Sequence, residues 1–133
     1  DENRYPTLRI NRMKSWLILG ATFTGLAVLL GAFGAHGLKS RVSPDDLVIF
    51  ETGVRYQMYH GLGLILLGLI GFNVPESILH LPVILLTAGI FIFSGSLYLL
   101  VLTDMRWLGA ITPIGGLSFV IGWVLLAINL YRS

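Results

Sequence analysis

The stretch YQMYHGLGLILLGLIGFNVP, Tyr56 to Pro75, runs for twenty residues without an Asp, Glu, Lys or Arg. A helix needs roughly 20 apolar residues to cross the hydrocarbon core of a bilayer. Three further uncharged runs match it: Ser15 to Leu38, Ser77 to Thr103 and Trp107 to Tyr131. The 133-residue chain is 55% hydrophobic and 12% charged, with a mean hydropathy of +0.81, too little charge to cover a soluble domain of this size. Backbone groups in lipid must be paired within the segment or within a closed barrel. A barrel would alternate in polarity, and these runs do not. The expected fold is therefore an all-α integral membrane protein, a compact antiparallel bundle of four transmembrane helices. The expected spans are about 16–35, 52–72, 78–103 and 108–131, with residues 1–12 as a polar amino-terminal tail or extension.

Composition removes several classes of function. There is no cysteine, which excludes disulfides, thiolate catalysis and Cys-bound zinc or iron–sulfur clusters. A net charge of +2 gives no reason to expect nucleic acid. The first apolar run resembles the core of a signal peptide, but it is long and is followed by His-Gly-Leu-Lys where a small-residue cleavage site belongs, so it reads as a helix. Before it, DENRYPTLRINR precedes Met13-Lys14, which looks like an ordinary translation start. Lys and Arg fall five on the side of the termini and four on the other, so the positive-inside rule favours cytoplasmic termini. Leaving out residues 1–12 reverses that count.

Local signals place the helices. Ser43-Pro44-Asp45-Asp46 combines an N-cap serine, proline at the first helical position and acids in the first turn. A helix from Pro44 to Gly71 would be about 42 Å long, longer than the hydrocarbon, so its first turns should lie in the interface or project from it. Glu51 and Arg55 are spaced for an i, i+4 pair. Asn73 to Ser77 and Asp104 to Arg106 are short connections, which make consecutive helices antiparallel neighbours. No internal repeat suggests the inverted halves of a secondary transporter. Small residues recur at helical spacing: Gly20, Thr24, Ala27, Gly31 and Ala35; Gly53, Gln57, Gly61, Gly68 and Gly71; Gly115, Ser118 and Gly122. Such stripes let helices approach closely in lipid, and Ser94-Gly95-Ser96 adds hydroxyls for bonds between helices.

Threading the chain through the membrane puts His36, Arg55, Gln57, His60, Tyr98, Thr103, Asp104, Arg106 and Thr112 towards one side, and the candidate polar cluster is His36, Arg55, Gln57, His60, Ser94, Tyr98, Arg106 and Thr112. His60 lies five residues past Arg55, about 7.5 Å along a helix, which places it in the outer part of the bilayer. Polar groups at such depth are candidates for function. Haem between His36 and His60 has no second supporting pair of ligands. A proton-coupled exporter would want an acid in mid-membrane, and no run contains one. A lipid or quinone headgroup site using Arg55, His60 and Arg106 fits the expected depth better. The plainest reading is that Gln57, His60 and Tyr98 hydrogen-bond between helices while Arg55 and Arg106 pair with Glu51 or Asp104 or reach the headgroups. No nucleophile, base and oxyanion set is visible, so neither catalytic residues nor a cofactor nor a metal is expected.

Four motifs in order carry a resemblance: LGAFGAHGL (Leu30 to Leu38), TGVRYQMYHGLG (Thr52 to Gly63), FSGSLYLLVL (Phe93 to Leu102) and ITPIGGLSFVIGW (Ile111 to Trp123). They resemble the YgdD-like family of small inner-membrane proteins, whose eukaryotic relatives are called transmembrane protein 256-like. The resemblance covers about Met13 to Tyr131 and implies four helices in a bacterial inner membrane, without implying an activity. Within the motifs stand His36, Gln57, His60, Ser94, Gly95, Tyr98, Pro113 and Gly116. The expected function is thus a structural or accessory component. Its partners would be membrane lipids, a larger membrane complex or further copies of itself. The alternative is an oligomeric small-solute or ion transporter or channel.

Overall fold

The computed structural model describes residues 5–133, so Arg4, which entered the charge count, lies outside the described residues. Helix α1 spans Tyr5–Phe33 and passes into a π-helical turn, Gly34–Leu38. Helix α2 spans Pro44–Ile70. After a 3-10 turn at Glu76–Ile78, α3 (His80–Gly89), a π-helical segment (Ile90–Ser94) and α4 (Gly95–Thr103) form one continuous rod. A second 3-10 turn, Arg106–Ala110, leads into α5, Thr112–Arg132. The described residues contain no strand, and the four rods form the antiparallel bundle expected from the sequence.

Each boundary has a local cause. Ser43 is the N-cap of α2, its hydroxyl accepting from the Asp46 amide at 3.1 Å, with Pro44 following and Asp45 and Asp46 facing the helix dipole. The α4 helix stops at Asp104, whose φ of 58° is left-handed, a conformation that short polar side chains tolerate. Three rods, Pro6–Leu38, Glu76–Thr103 and Arg106–Arg132, are long and apolar enough to cross a membrane. Tyr56, Gln57, Tyr59 and His60 dilute the apolar character of α2, and what holds it in the bundle is pairing along α1. Gly71 packs on Met13, Gly68 on Leu17, Gly61 on Thr24, Val54 on Gly31 and Phe50 on Gly34.

That pairing corrects one expectation. Helix α1 begins at Tyr5 and not near Trp16, so residues 5–12 continue the first span and form no separate tail. Arg9 donates to the carbonyls of Gly71 (2.7 and 3.1 Å) and Val74 (2.6 Å), satisfying groups at the end of α2, and Arg12 pairs with Glu76. The first turns of α2, expected in the interface or projecting from it, pack against the other helices of the bundle. Phe50 is fully buried, in a cluster with Leu38, Leu100, Val101 and Leu108.

A larger apolar cluster fills the other half, built on Met13, Trp16, Phe23, Leu64, Leu86, Ile90 and Phe119 among others. Along both α2 and the third rod, polar residues lie between the two clusters: Gln57 between Phe50 and Leu64, Ser94 and Tyr98 between Ile90 and Leu100.

Candidate functional site

The polar layer is a set of bonds between helices. Gln57 is buried on α2, facing α1 where Gly61 and Gly20 bring the backbones together; a Cβ on Gly20 would stand 2.6 Å from the Gly61 carbonyl oxygen. Its amide therefore reaches the Phe23 carbonyl, Nε2 donating at 2.8 Å, while the Tyr98 hydroxyl donates to Oε1 at 2.7 Å. One side chain thus joins three helices. Gly53 makes room for the Tyr98 ring, since a Cβ there would lie 2.8 Å from it, and the Gly53 carbonyl accepts from the buried Ser94 hydroxyl at 2.6 Å. Ser96 and Thr112 link the third and fourth rods through their hydroxyls at 2.6 Å.

His60 is buried and both its ring nitrogens are used. Nδ1 is 2.8 Å from the Tyr56 carbonyl, which can only accept, so that nitrogen carries the proton. Nε2 then accepts the Trp123 indole N–H at 3.0 Å. The ring lies flat on Phe119, with centroids 3.5 Å apart and planes 9° from parallel. Both ring nitrogens are thus engaged by groups of the bundle, whereas His36 is exposed on the π-helical turn at the end of α1. The His60 partners Phe119 and Trp123 lie in the middle of α5, which sets His60 near the centre of the bundle.

The charged residues fall elsewhere. Arg106 clamps the loops at one end: Nη1 and Nη2 donate to the two oxygens of Asp46 at 2.8 and 2.7 Å, and Nε donates to Asp104 at 2.8 Å. Hydrogen bonding from the guanidinium holds the Asp46 carboxyl below the usual carboxylate range, and the two carboxylates push the Arg106 pKa up. Arg55 is exposed on the outside of α2, and among the described residues no carboxylate comes within ion-pair distance of it, Glu51 included. The eight singled-out residues therefore occupy four places: Gln57, Ser94, Tyr98 and Thr112 in the polar layer, His60 deeper, Arg106 at the end, and Arg55 and His36 outside. Sequence reasoning passed over Trp123, Phe119 and Arg9. Trp123 stands within a quoted motif, but nothing in its spacing says that its indole N–H faces His60.

A shallow groove open to the outside of the bundle lies beside the polar layer, between α1 and the third rod, lined by Phe23, Leu30, Phe91, Gly95, Gln57 and Tyr98 among others. Every buried side-chain nitrogen or oxygen among the described residues has a hydrogen-bond partner.

A family model described as "Protein of unknown function (DUF423)" matches residues 30–116. A UPF0382 membrane protein of Staphylococcus haemolyticus is 49% identical over 120 residues, 90% of this chain and 98% of its own length. One from Staphylococcus epidermidis is 52% identical over 116 residues, covering 87% and 94%, and the UPF0382 membrane protein YwdK of Bacillus subtilis is 44% identical over 117 residues, covering 87% and 95%. No solved structure matches. The relatives are named as membrane proteins and carry no enzymatic name, in keeping with the apolar rods and the internally bonded polar layer, and the chain belongs to the DUF423 family of membrane proteins of unknown function.

Proposed function

We propose that this protein is a non-catalytic structural or accessory component of the bacterial cytoplasmic membrane, acting through its outer surfaces on lipid or on a larger membrane complex. One observation carries the reading: every buried polar side chain among the described residues is already bonded inside the bundle. A pathway for ions or protons needs polar groups that can exchange partners. Gln57, His60 and Ser94 instead hold fixed carbonyls and side chains between helices. The resemblance of the four motifs to YgdD-like and transmembrane protein 256-like proteins supports a small inner-membrane protein. The charge count favours cytoplasmic termini, and Arg9 and Arg12 brace the end of α2.

The test is purification in mild detergent. A stoichiometric membrane-protein partner, or a lipid or quinone retained and identified by mass spectrometry, supports the reading. Ion or proton flux from the purified protein in liposomes sinks it in favour of the transporter alternative.

A further inference from the structure

The rod Pro6–Leu38 outlasts the hydrocarbon, and what its first turns carry is charged. Arg106 and Asp46 mark one surface of the bundle, close to the cluster that holds Leu38. Counting back from Leu38, Arg12 and Arg9 lie about 39 and 44 Å away along the rod. A bilayer with its headgroups is about 40–45 Å thick, so both arginines stand at the level of the opposite headgroups. There α1 and the turn after α2 border an open-sided recess of about 660 Å³, lined by Leu8, Arg9, Ile10, Arg12, Phe72 and Glu76 among others. Arg9 donates from Nε and Nη2 to the carbonyls of Gly71 and Val74, and Arg12 donates from Nη1 to Glu76. A guanidinium has five N–H groups in a rigid fork. Among the described residues, Nη1 of Arg9 and the Nε–Nη2 edge of Arg12 thus keep their protons for a further acceptor. Such an edge takes two oxygens of one anion side by side. Two guanidiniums against the single carboxylate of Glu76 leave the recess with one positive charge.

We propose that this recess holds the headgroup of one monoanionic phospholipid of the phosphatidylglycerol class, its phosphodiester on the free edge of Arg12 and on Nη1 of Arg9. The inference rests on the reading that the protein acts through its outer surfaces, and it names the lipid. Charge complementarity argues for this occupant, since a phosphodiester carries one negative charge, equal and opposite to that of the recess. Arg9 and Arg12 are spaced i and i+3, so both guanidiniums serve one face of α1. Leu8, Ile10 and Phe72 are exposed beside them and give the glycerol backbone and the first methylenes an apolar surface to lie on. Phosphatidylethanolamine fits less well. It is neutral overall and leaves the positive charge unanswered, and Glu76, the carboxylate its ammonium would need, is already held by Arg12.

The test titrates the full-length chain in mild detergent with dioleoyl phosphatidylglycerol or dioleoyl phosphatidylethanolamine and counts bound lipids by native mass spectrometry. The proposal expects one phosphatidylglycerol bound in preference to phosphatidylethanolamine. Arg12→Gln should weaken it about fivefold, the worth of one basic residue towards an anionic lipid. Glu76→Gln should strengthen it by a similar factor, because it frees Arg12 and raises the charge of the recess. A gain of affinity cannot come from misfolding, so this second variant keeps the test decisive even where Arg12→Gln is unstable. Arg55→Gln, on the outside of α2, should leave binding unchanged. Equal affinity for the two lipids, an affinity for phosphatidylglycerol unmoved by Glu76→Gln, or a loss in Arg55→Gln as large as in Arg12→Gln overturns the proposal. So does displacement of the lipid by an equal concentration of inorganic phosphate, or a membrane protein bound to the recess in its place. Each of those results removes the lipid site and leaves the accessory reading standing, since that reading fails on flux in liposomes.

Discussion

Replacing His60 with alanine tests whether the mid-bundle polarity is structural. The substitution removes three things. The imidazole stacked on Phe119 at 3.5 Å is an aromatic pair, a class that contributes about 0.5–1.5 kcal/mol. The bond from the Trp123 indole at 3.0 Å belongs to a kind that averages about 0.6 and reaches about 1.7 kcal/mol in membrane proteins. The lost ring leaves a void of roughly 50 Å³ in a buried position, which at about 24 cal/mol per Å³ costs about 1 kcal/mol. The expected destabilisation is about 2–4 kcal/mol, summed from these three sources. Reversible unfolding in mixed micelles of mild detergent and dodecyl sulfate, followed by tryptophan fluorescence, measures it. A double-mutant cycle with Trp123→Phe isolates the hydrogen bond and should return a coupling of about 0.6–1.7 kcal/mol. Wild-type stability in His60→Ala, together with loss of a co-purifying molecule, would refute the reasoning and mark His60 as a ligand site.

Tyr98→Phe removes the donor to Gln57 without changing the ring, so it should cost about 0.6–1.7 kcal/mol in the same unfolding assay, and Gln57→Leu should make it nearly silent. Gly61→Leu should separate α1 from α2, because even a Cβ there would lie 2.7 Å from Thr24 Oγ1; lower yield of folded protein and loss of cooperative unfolding would show it. The loop clamp should persist in mild acid. The Asp46 carboxyl is held below its ordinary 3.8, so its contribution is fully present above the unfolded carboxylate range and is lost only as pH falls through the lowered value. Wild type should therefore exceed Asp46→Asn in stability at pH 7 and at pH 5, with the two converging only in stronger acid. Convergence already at pH 5 would mean that the ion pair does not hold the loops.

Much of the fold was legible because lipid simplifies the code. Uncharged runs of sufficient length must be helices, and short connections make them antiparallel, so four spans follow from composition and punctuation. The start of α2 was equally visible, since Ser43, Pro44 and the two aspartates act within one turn. The beginning of α1 was not. Residues 5–12 look like a polar tail until Arg9 finds the carbonyls of Gly71 and Val74, more than sixty positions away. The π-helical segment at Ile90–Ser94, which lets Ser94 face Gly53, has no signature in the residues themselves.

The sequence by itself determined a four-helix membrane bundle and the glycine faces along which its helices meet, and it named Gln57, His60 and Ser94 among its polar candidates without separating them from the exposed His36 and Arg55. Only the tertiary structure decided what those residues do. It joined Gln57 to Phe23 and Tyr98, gave both nitrogens of His60 to Tyr56 and Trp123, turned Arg106 towards Asp46, and left Glu51 and Arg55 facing outward. The reason is one of range. Helix formation, capping and burial in lipid depend on neighbours within a few residues, whereas a hydrogen bond depends on the rotation of one helix against another. That rotation is set jointly by all the side chains packed between them.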